Sequence, residues 1–281
     1  MTGSPADEAP RPDAGPPPDR PERTHDPRIT VIQAELFDER RSKFQRYGDL
    51  FVGQPGLGAF LKYELITACC SWLPGALGLL LRSKLYPFLL GSVGRNVTFG
   101  VNVVIRHPHK IRIGDNVVID DACCLDAKGT DNAGITIGHG VFVGRNTILS
   151  CKNGDIVLDD NANIGFNCEV FSAGRVRIGK NVLVAAYTYL VGGDHLFDRT
   201  DIPVLHQGRA ARGIEVGDNV WLGAHVVVTD GSTVGRDAIV GAGAVVVGTL
   251  PEFAIAVGIP AKVVRDRRAA PDAADGERGP R

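Results

Sequence analysis

Residues 214–247 read IEVGDNVWLGAHVVVTDGSTVGRDAIVGAGAVVV, and in this stretch Val216, Leu222, Val228, Val234, Val240 and Val246 recur every sixth residue. Glycine often follows the aliphatic, as at Gly217, Gly223, Gly235 and Gly241. A small or β-branched residue stands four places on, as at Val226, Ala238 and Ala244. Traced backwards, the register takes in Val93, Phe99, Ile105; Ile113, Ile119, Leu125; Ile137, Val143, Leu149; Leu158, Ile164, Val170; and Ile178, Val184, Leu190. All are aliphatic except Phe99. A fixed short period is the signature of a repeat architecture. When the hexads are grouped in threes, every interruption falls after a third hexad: after Ile105, Leu125, Leu149, Val170 and Leu190. A triangular prism with three short strands per turn accounts for this, because extra residues are then accommodated at one corner. Stacked at about 4.8 Å per turn, about seven coils give a column of roughly 34 Å. Cys123 and Cys168 fall at inward small positions and are expected to pack rather than react.

The flanks differ in kind. Residues 1–28 and 266–281 are rich in proline and charge and poor in large apolar side chains, so they are expected to be disordered tails. Residues 29–92 have helical character. Thr30 is a candidate cap for a helix over 30–47, and Leu57, Phe60, Leu61, Leu65 and Ala68 share one helical face. Residues 76–90 carry a wide stripe including Leu77, Leu80, Leu81, Leu85, Phe88 and Leu89, interrupted, like the first, by charges such as Lys62, Glu64, Arg82 and Lys84. These stretches suit helices packed on the domain; residues 57–90 also suit peripheral contact with a membrane or a lipid-linked substrate.

Composition narrows the function. Lys plus Arg number 31 against 32 Asp plus Glu, for a net charge of −1, which excludes the basic footprint of a nucleic-acid binder. Glycine is abundant at 35 and aromatic residues scarce at 6%, against a helical bundle. No apolar run is long enough to span a bilayer. The N-terminus lacks a signal-like apolar core, and Cys69, Cys70, Cys123, Cys124, Cys151 and Cys168 form no CxxC spacing. A cytoplasmic protein with reduced thiols, peripheral to a membrane if residues 57–90 touch one, is the expectation.

The longest interruption, VGGDHLFDRTDIPVLHQGRAARG at 191–213, is the candidate active-site loop, since long loops on regular scaffolds are usually functional. It contains His195, with Asp194 beside it, and His206 as the second candidate base. Asp194, Asp198, Asp201 and Glu215 are candidate orienters. His107, His109, His139 and His225 are read as surface or interface residues.

The stretch 214–247, followed by AVGIPAKVVR at 256–265, resembles the hexapeptide-repeat acyltransferases, nearest the maltose, galactoside and polysaccharide-biosynthesis O-acetyltransferases. The resemblance covers roughly 93–265 and implies a left-handed parallel β-helix over 93–250, closed by a cap over 251–265. It implies acetyl-CoA as donor, a hydroxyl on a sugar or cell-envelope glycan as acceptor, and a homotrimer. His195 stands where the family's general base stands, and Asn167 where an asparagine contacts the acceptor or that histidine. Trp221, Gly223, Ala224, Gly241, Ala242 and Gly243 would line the pantetheine groove, with Lys262 and Arg265 reaching the nucleotide phosphates. A family Thr-Lys pair before the cap is Val247-Gly248 here. No metal is expected, because the three-histidine spacing of the fold's carbonic anhydrases is missing. The rival readings are an N-acetyltransferase of a nucleotide sugar, a serine O-acetyltransferase, and a non-catalytic β-helix scaffold; the last has no use for the His195 loop.

Overall fold

The computed structural model describes residues 42–269 of the 281. The hexads form a three-faced parallel solenoid, and each face is a ladder in which inward aliphatics pair one above another. On the first face Val93 pairs Ile113, then Ile137, Leu158, Ile178, Val216, Val234 and Leu250 follow in register. The second face runs from Phe99 through Ile119, Val143, Ile164, Val184, Leu222 and Val240 to Ala256. The third runs from Ile105 through Leu125, Leu149, Val170, Leu190 and Val228 to Val246.

Apart from half-buried Val93 these side chains are buried. Each buried Val, Leu, Ile or Phe among them contributes about 1.5–3 kcal/mol relative to exposure. The residues four places on (Val117, Cys123, Thr147, Ala162, Cys168, Val226, Ala238, Ala244) are buried as well. Burial pushes the Cys123 thiol up to about 12, so it stays protonated and inert. All six cysteines are free.

Seven coils are complete, and the first two faces continue into part of an eighth. Thr249–Leu250 and Ala254–Val257 extend them, and Lys262–Asp266 folds back antiparallel on the latter. The cap expected at 251–265 is therefore partly prism. Where the tail was expected to start, Asp266 instead ends the return strand, and the Arg267 amide donates to the Phe253 carbonyl at 2.8 Å. Residues 270–281, and the tail expected over 1–28, lie outside the described residues.

At the other end, α1 (Lys43–Tyr47) is capped by Ser42, whose hydroxyl accepts from the Gln45 amide. Ser42 is extended, so a helix starts here rather than running through from Thr30; residue 30 lies outside the described residues. A turn over Gly48–Val52 leads to α2 (Leu57–Cys70) and α3 (Gly75–Leu85).

The buried side of α2 is not the stripe expected. Tyr63 and Cys70 are buried, while Leu57, Leu61 and Leu65 are exposed. Polar tethers select the face. The Tyr63 hydroxyl donates to the Ile105 carbonyl at 2.8 Å. Arg82 of α3, expected to break an apolar stripe, is only 1% exposed. Its Nε donates to the Phe99 carbonyl at 2.9 Å, and its Nη1 to the Cys70 and Leu73 carbonyls at 2.9 and 2.6 Å. The guanidinium sits at the negative C-terminal end of α2 and staples both helices to the first coil. Tyr86 packs edge-on against Phe99, with centroids 5.2 Å apart.

Arg82→Met keeps volume but strands three carbonyls, at about 1–3 kcal/mol for each group left unsatisfied. Protease cleavage within residues 42–90 should accelerate in this variant while the β-sheet circular dichroism of the prism persists; unchanged cleavage would show that the staple is dispensable.

Candidate active site

Every insertion lies on the edge between the third and first faces. The longest departs after the third-face strand Tyr189–Gly192 and returns at Ile214–Val216. Its two ends form an antiparallel ribbon in which Asp194 faces Ala210 and His195 faces Arg209. Two residues that the sequence reading missed hold the loop. Gln207, buried, accepts from the Arg199 amide at 2.9 Å and donates to the Arg199 and Ile202 carbonyls at 2.7 and 3.0 Å. The buried Asp230 carboxylate of the next coil accepts from the Arg212 and Gly213 amides at 3.0 and 2.9 Å. An Asp-Gly pair at a corner was the available signal for Asp230; Gln207 offered none.

His195 is half-exposed, but its Nδ1 is buried and without a hydrogen-bond partner among the described residues. The Asp194 carboxylate accepts from the His195 backbone amide at 2.9 Å, a contact that shapes the turn. His206 is exposed in a short turn over Val204–His206.

Asn167 lies elsewhere. It occupies a left-handed corner (φ 55°) between the second and third faces and accepts from Asn146 Nδ2 at 3.1 Å. A four-residue third-face strand, about 13 Å long, separates that corner from the one carrying His195. The same corner column continues through Tyr187 and His225, both at positive φ, whose rings stack with centroids 5.0 Å apart. Left-handed backbone is uncommon for bulky residues and marks a position worth functional attention.

The donor candidates gather on the second face and this corner. Trp221 is exposed, between Leu183 and Ile239 in the ladder. Gly223 is buried and serves coil stacking: a Cβ there would stand 2.6 Å from the Ala242 nitrogen. One at Gly241 would meet Val257 Cγ1 at 2.7 Å. Ala224, Ala242 and Gly243 leave the corner open, and a Cβ on Gly243 would meet nothing within 4 Å. Lys262 and Arg265 lie on the return strand, opposite Val257 and Ile255. Within one chain, then, Asn167 shares a corner column with Ala224, Ala242 and Gly243, three rungs below the last of them, and the loop carrying His195 leaves from the other side of the third face.

His107, expected at a surface or interface, is buried against the 48–52 turn. Its Nε2 lies 2.9 Å from the Asp49 carbonyl, and its Nδ1 is 3.8 Å from Asp126. Burial alone would raise the Asp126 pKa; His107 and the charges of Lys152 and Arg106 outweigh it and hold the carboxyl below its usual value. Among the described residues no three His, Cys, Asp or Glu side chains converge on a metal site.

Residues 213–248 match the family profile described as bacterial transferase hexapeptide (six repeats), and 92–121 and 156–190 match the hexapeptide repeat of succinyl-transferase. A Mycobacterium tuberculosis protein named "Probable acetyltransferase" is 32% identical over 146 residues, covering 52% of this chain and 49% of that protein. Galactoside O-acetyltransferase of Escherichia coli is 32% identical over 136 residues, covering 47% of this chain and 63% of the relative. The chain thus spans about half to two-thirds of the length of these relatives. Among solved structures, the Bacillus cereus N-acyltransferase AntD with dTDP and 3-hydroxybutyryl-CoA aligns with a TM-score of 0.49 at 24% identity, covering 71% of this chain and 91% of that one.

Because the Asp126 carboxyl is depressed in the fold, its contribution to stability is present above the unfolded value of about 3.9 and is lost as pH falls through the folded one. The gap in unfolding free energy between wild type and Asp126→Asn should therefore be widest near neutrality and shrink below about pH 4. A gap constant with pH in denaturant titrations would contradict this.

Proposed function

We propose that this chain, whose coils are hexapeptide repeats of the bacterial transferase family, is a coenzyme A-dependent O-acetyltransferase acting on a hydroxyl of a sugar or cell-envelope glycan. The observation that carries the reading is His195: a half-exposed imidazole on a tethered ribbon at the prism edge, its Nδ1 buried and unpartnered among the described residues. Nε2 takes the acceptor's hydroxyl proton as the oxygen attacks the thioester carbonyl. The resulting imidazolium then protonates the departing thiolate. Similarity to named acetyltransferases, galactoside O-acetyltransferase among them, supports the reaction class. An N-acetyltransferase acting on a nucleotide sugar would use the same base and differs only in the acceptor atom.

The donor fits the second face. Its flat Trp221, the small residues Ala224, Gly241, Ala242 and Gly243, and the cations Lys262 and Arg265 offer an apolar wall, a shallow corner for an extended amide-bearing arm, and charge for phosphates. These groups and Asn167 lie across the third face from His195 in one chain. We therefore place the complete site between copies of a homotrimer, where one copy's corner meets the loop of the next. Val104, Val118, Ile148 and Leu183 are exposed on the outer prism faces, which suits such contact.

We also read the outward sides of α2 and α3 as a surface for a lipid bilayer. Leu57, Leu61, Leu65, Leu77 and Leu80 are exposed there, with exposed Trp72 and Phe88 in the segments just after each helix and Lys62 and Lys84 alongside. This is the composition of an interfacial helix pair. No helix among the described residues is long and apolar enough to cross a membrane.

His195→Gln should lower kcat by about 10²–10⁴ and leave acetyl-CoA binding by calorimetry unchanged. Lys262→Ala with Arg265→Ala should weaken that binding at least about tenfold, for two charge-assisted contacts; no binding at millimolar acetyl-CoA would turn the reading toward a scaffold. The chain should co-sediment with phosphatidylglycerol vesicles at low salt, and Leu61→Glu with Leu65→Glu should abolish it; wild-type protein left in the supernatant removes the bilayer reading.

A further inference from the structure

The corner between the second and third faces breaks its own rule. Coil by coil, its left-handed position is filled by Asn102, Ala122, Asn146, Asn167, Tyr187, His225 and Gly243. Asparagine and glycine suit positive φ, and alanine brings only a methyl group. Tyr187 and His225 are the bulky exceptions, at φ 61° and 59°. Histidine is tolerated there more often than tyrosine, so the cost falls chiefly on Tyr187. Packing does not repay it: both rings are exposed, Tyr187 by 56%. Neither side chain makes a hydrogen bond or ion pair among the described residues. Backbone held against preference without a structural return points to a ligand.

The two ring planes lie 6° apart with centroids at 5.0 Å. Rings in full face contact stand about 3.5–4 Å apart, so this pair is slid sideways and each ring leaves part of its face uncovered. Phe166, also at this corner, has Arg145 over its ring at 4.6 Å, so one of its faces is taken.

The rung below Tyr187 ends a chain of amides. At the corner between the first and second faces, Asn161, Asn181 and Asn219 each donate Nδ2 to the oxygen of the next rung, the last to Asp237. Here Asn146 Nδ2 donates to Asn167 Oδ1, but the rung above Asn167 holds Tyr187 instead of an amide. Asn167 Nδ2 is left without an acceptor among the described residues, one rung, about 4.8 Å, below Tyr187.

We propose that the acceptor's sugar ring lies with its C–H face on Tyr187, which His225 backs, while Asn167 Nδ2 donates to one of its hydroxyls. A pyranose has the matching chemistry: C–H bonds of partial positive charge on a flat face, attracted to the negative face of an aromatic ring, and a rim of hydroxyl oxygens that accept. Tyr187 and Asn167 bind; His225 is a positioning residue that acts through Tyr187. The inference deepens the transferase reading and rests on it, and on the trimer, for presenting that sugar to His195 of a neighbouring copy.

Sugar binding can be read without turnover. The full chain, labelled with ¹³C-tyrosine and with the Tyr187 signal assigned through Tyr187→Asn, is titrated with the methyl glycosides of glucose, galactose, mannose, rhamnose and N-acetylglucosamine. At least one should shift the Tyr187 signal saturably. Followed from that glycoside's own signals, Tyr187→Asn and His225→Asn should each weaken binding by about tenfold, and Asn167→Ala should weaken it too. The two asparagine variants should not melt below the wild type, because asparagine is at home in this column. Tyr187→Phe and His225→Phe keep the flat rings and should bind as the wild type does. Acetyl-CoA affinity by calorimetry should hold in every variant. The proposal is overturned by a Tyr187 signal that none of the glycosides moves, by asparagine variants that bind normally or melt earlier, or by His225→Phe losing binding. It is equally overturned by acetyl-CoA affinity falling in step, which would assign the rings to the donor. Failure of the transferase reading registers separately, as wild-type protein that does not bind acetyl-CoA.

Discussion

The structure depends on one repeated contact: backbone hydrogen bonding between parallel strands about 4.8 Å apart, with an aliphatic side chain directly above another at every rung. That spacing explains why Gly223 and Gly241 stand where they do. Their missing Cβ atoms let one coil lie on the next, with Ala242 nitrogen and Val257 Cγ1 in the way of anything larger. It also explains the corners, where left-handed Asn96, Asn116, Asn161, Asn181 and Asn219 recur and hydrogen-bond along the column. A side chain of that kind tolerates the turn and supplies its own donor and acceptor.

A scaffold this regular confines its irregularity. All the long excursions leave by the same edge, between the third and first faces. The 191–213 loop is thereby held beside the polar edge formed by Arg106, Asp126 and Lys152, and Gln207 and Asp230 give it internal and external ties. The exposed Trp221 and the small-residue corner belong to a different side of the prism, set by the phase of the hexads. Separation of these two groups within one chain follows from the triangular cross-section, and it is why the proposed site needs a second copy.

The N-terminal helices obey another logic. Hydrophobic periodicity pointed Leu57, Leu61 and Leu65 inward, yet the face that meets the first coil is the one with Tyr63 and, from α3, Arg82. The open end of a β-helix presents unpaired carbonyls, such as those of Phe99 and Ile105, and donors that satisfy them outweigh a stripe of leucines in orienting a helix. A buried arginine with three carbonyl acceptors has no signature in a list of charged residues.

The prism was legible in the sequence residue by residue, because a six-residue period with inward aliphatics leaves one way to bury them; Phe99 and Val246 fell on the rungs that counting assigned. The edge bearing the insertions was legible too, and the longest of them carries His195. The partial eighth coil was missed because Leu250 and Ala256 continue the ladders after the spacing breaks at Val247. What tertiary structure alone decided is which groups share space. It placed His107 beneath the 48–52 turn against Asp126, put Arg209 opposite His195, and set Asn167 at the far corner. Sequence determines periodic burial because burial repeats locally. Juxtaposition across coils and across an inserted loop depends on where the chain returns, and only the folded molecule specifies that.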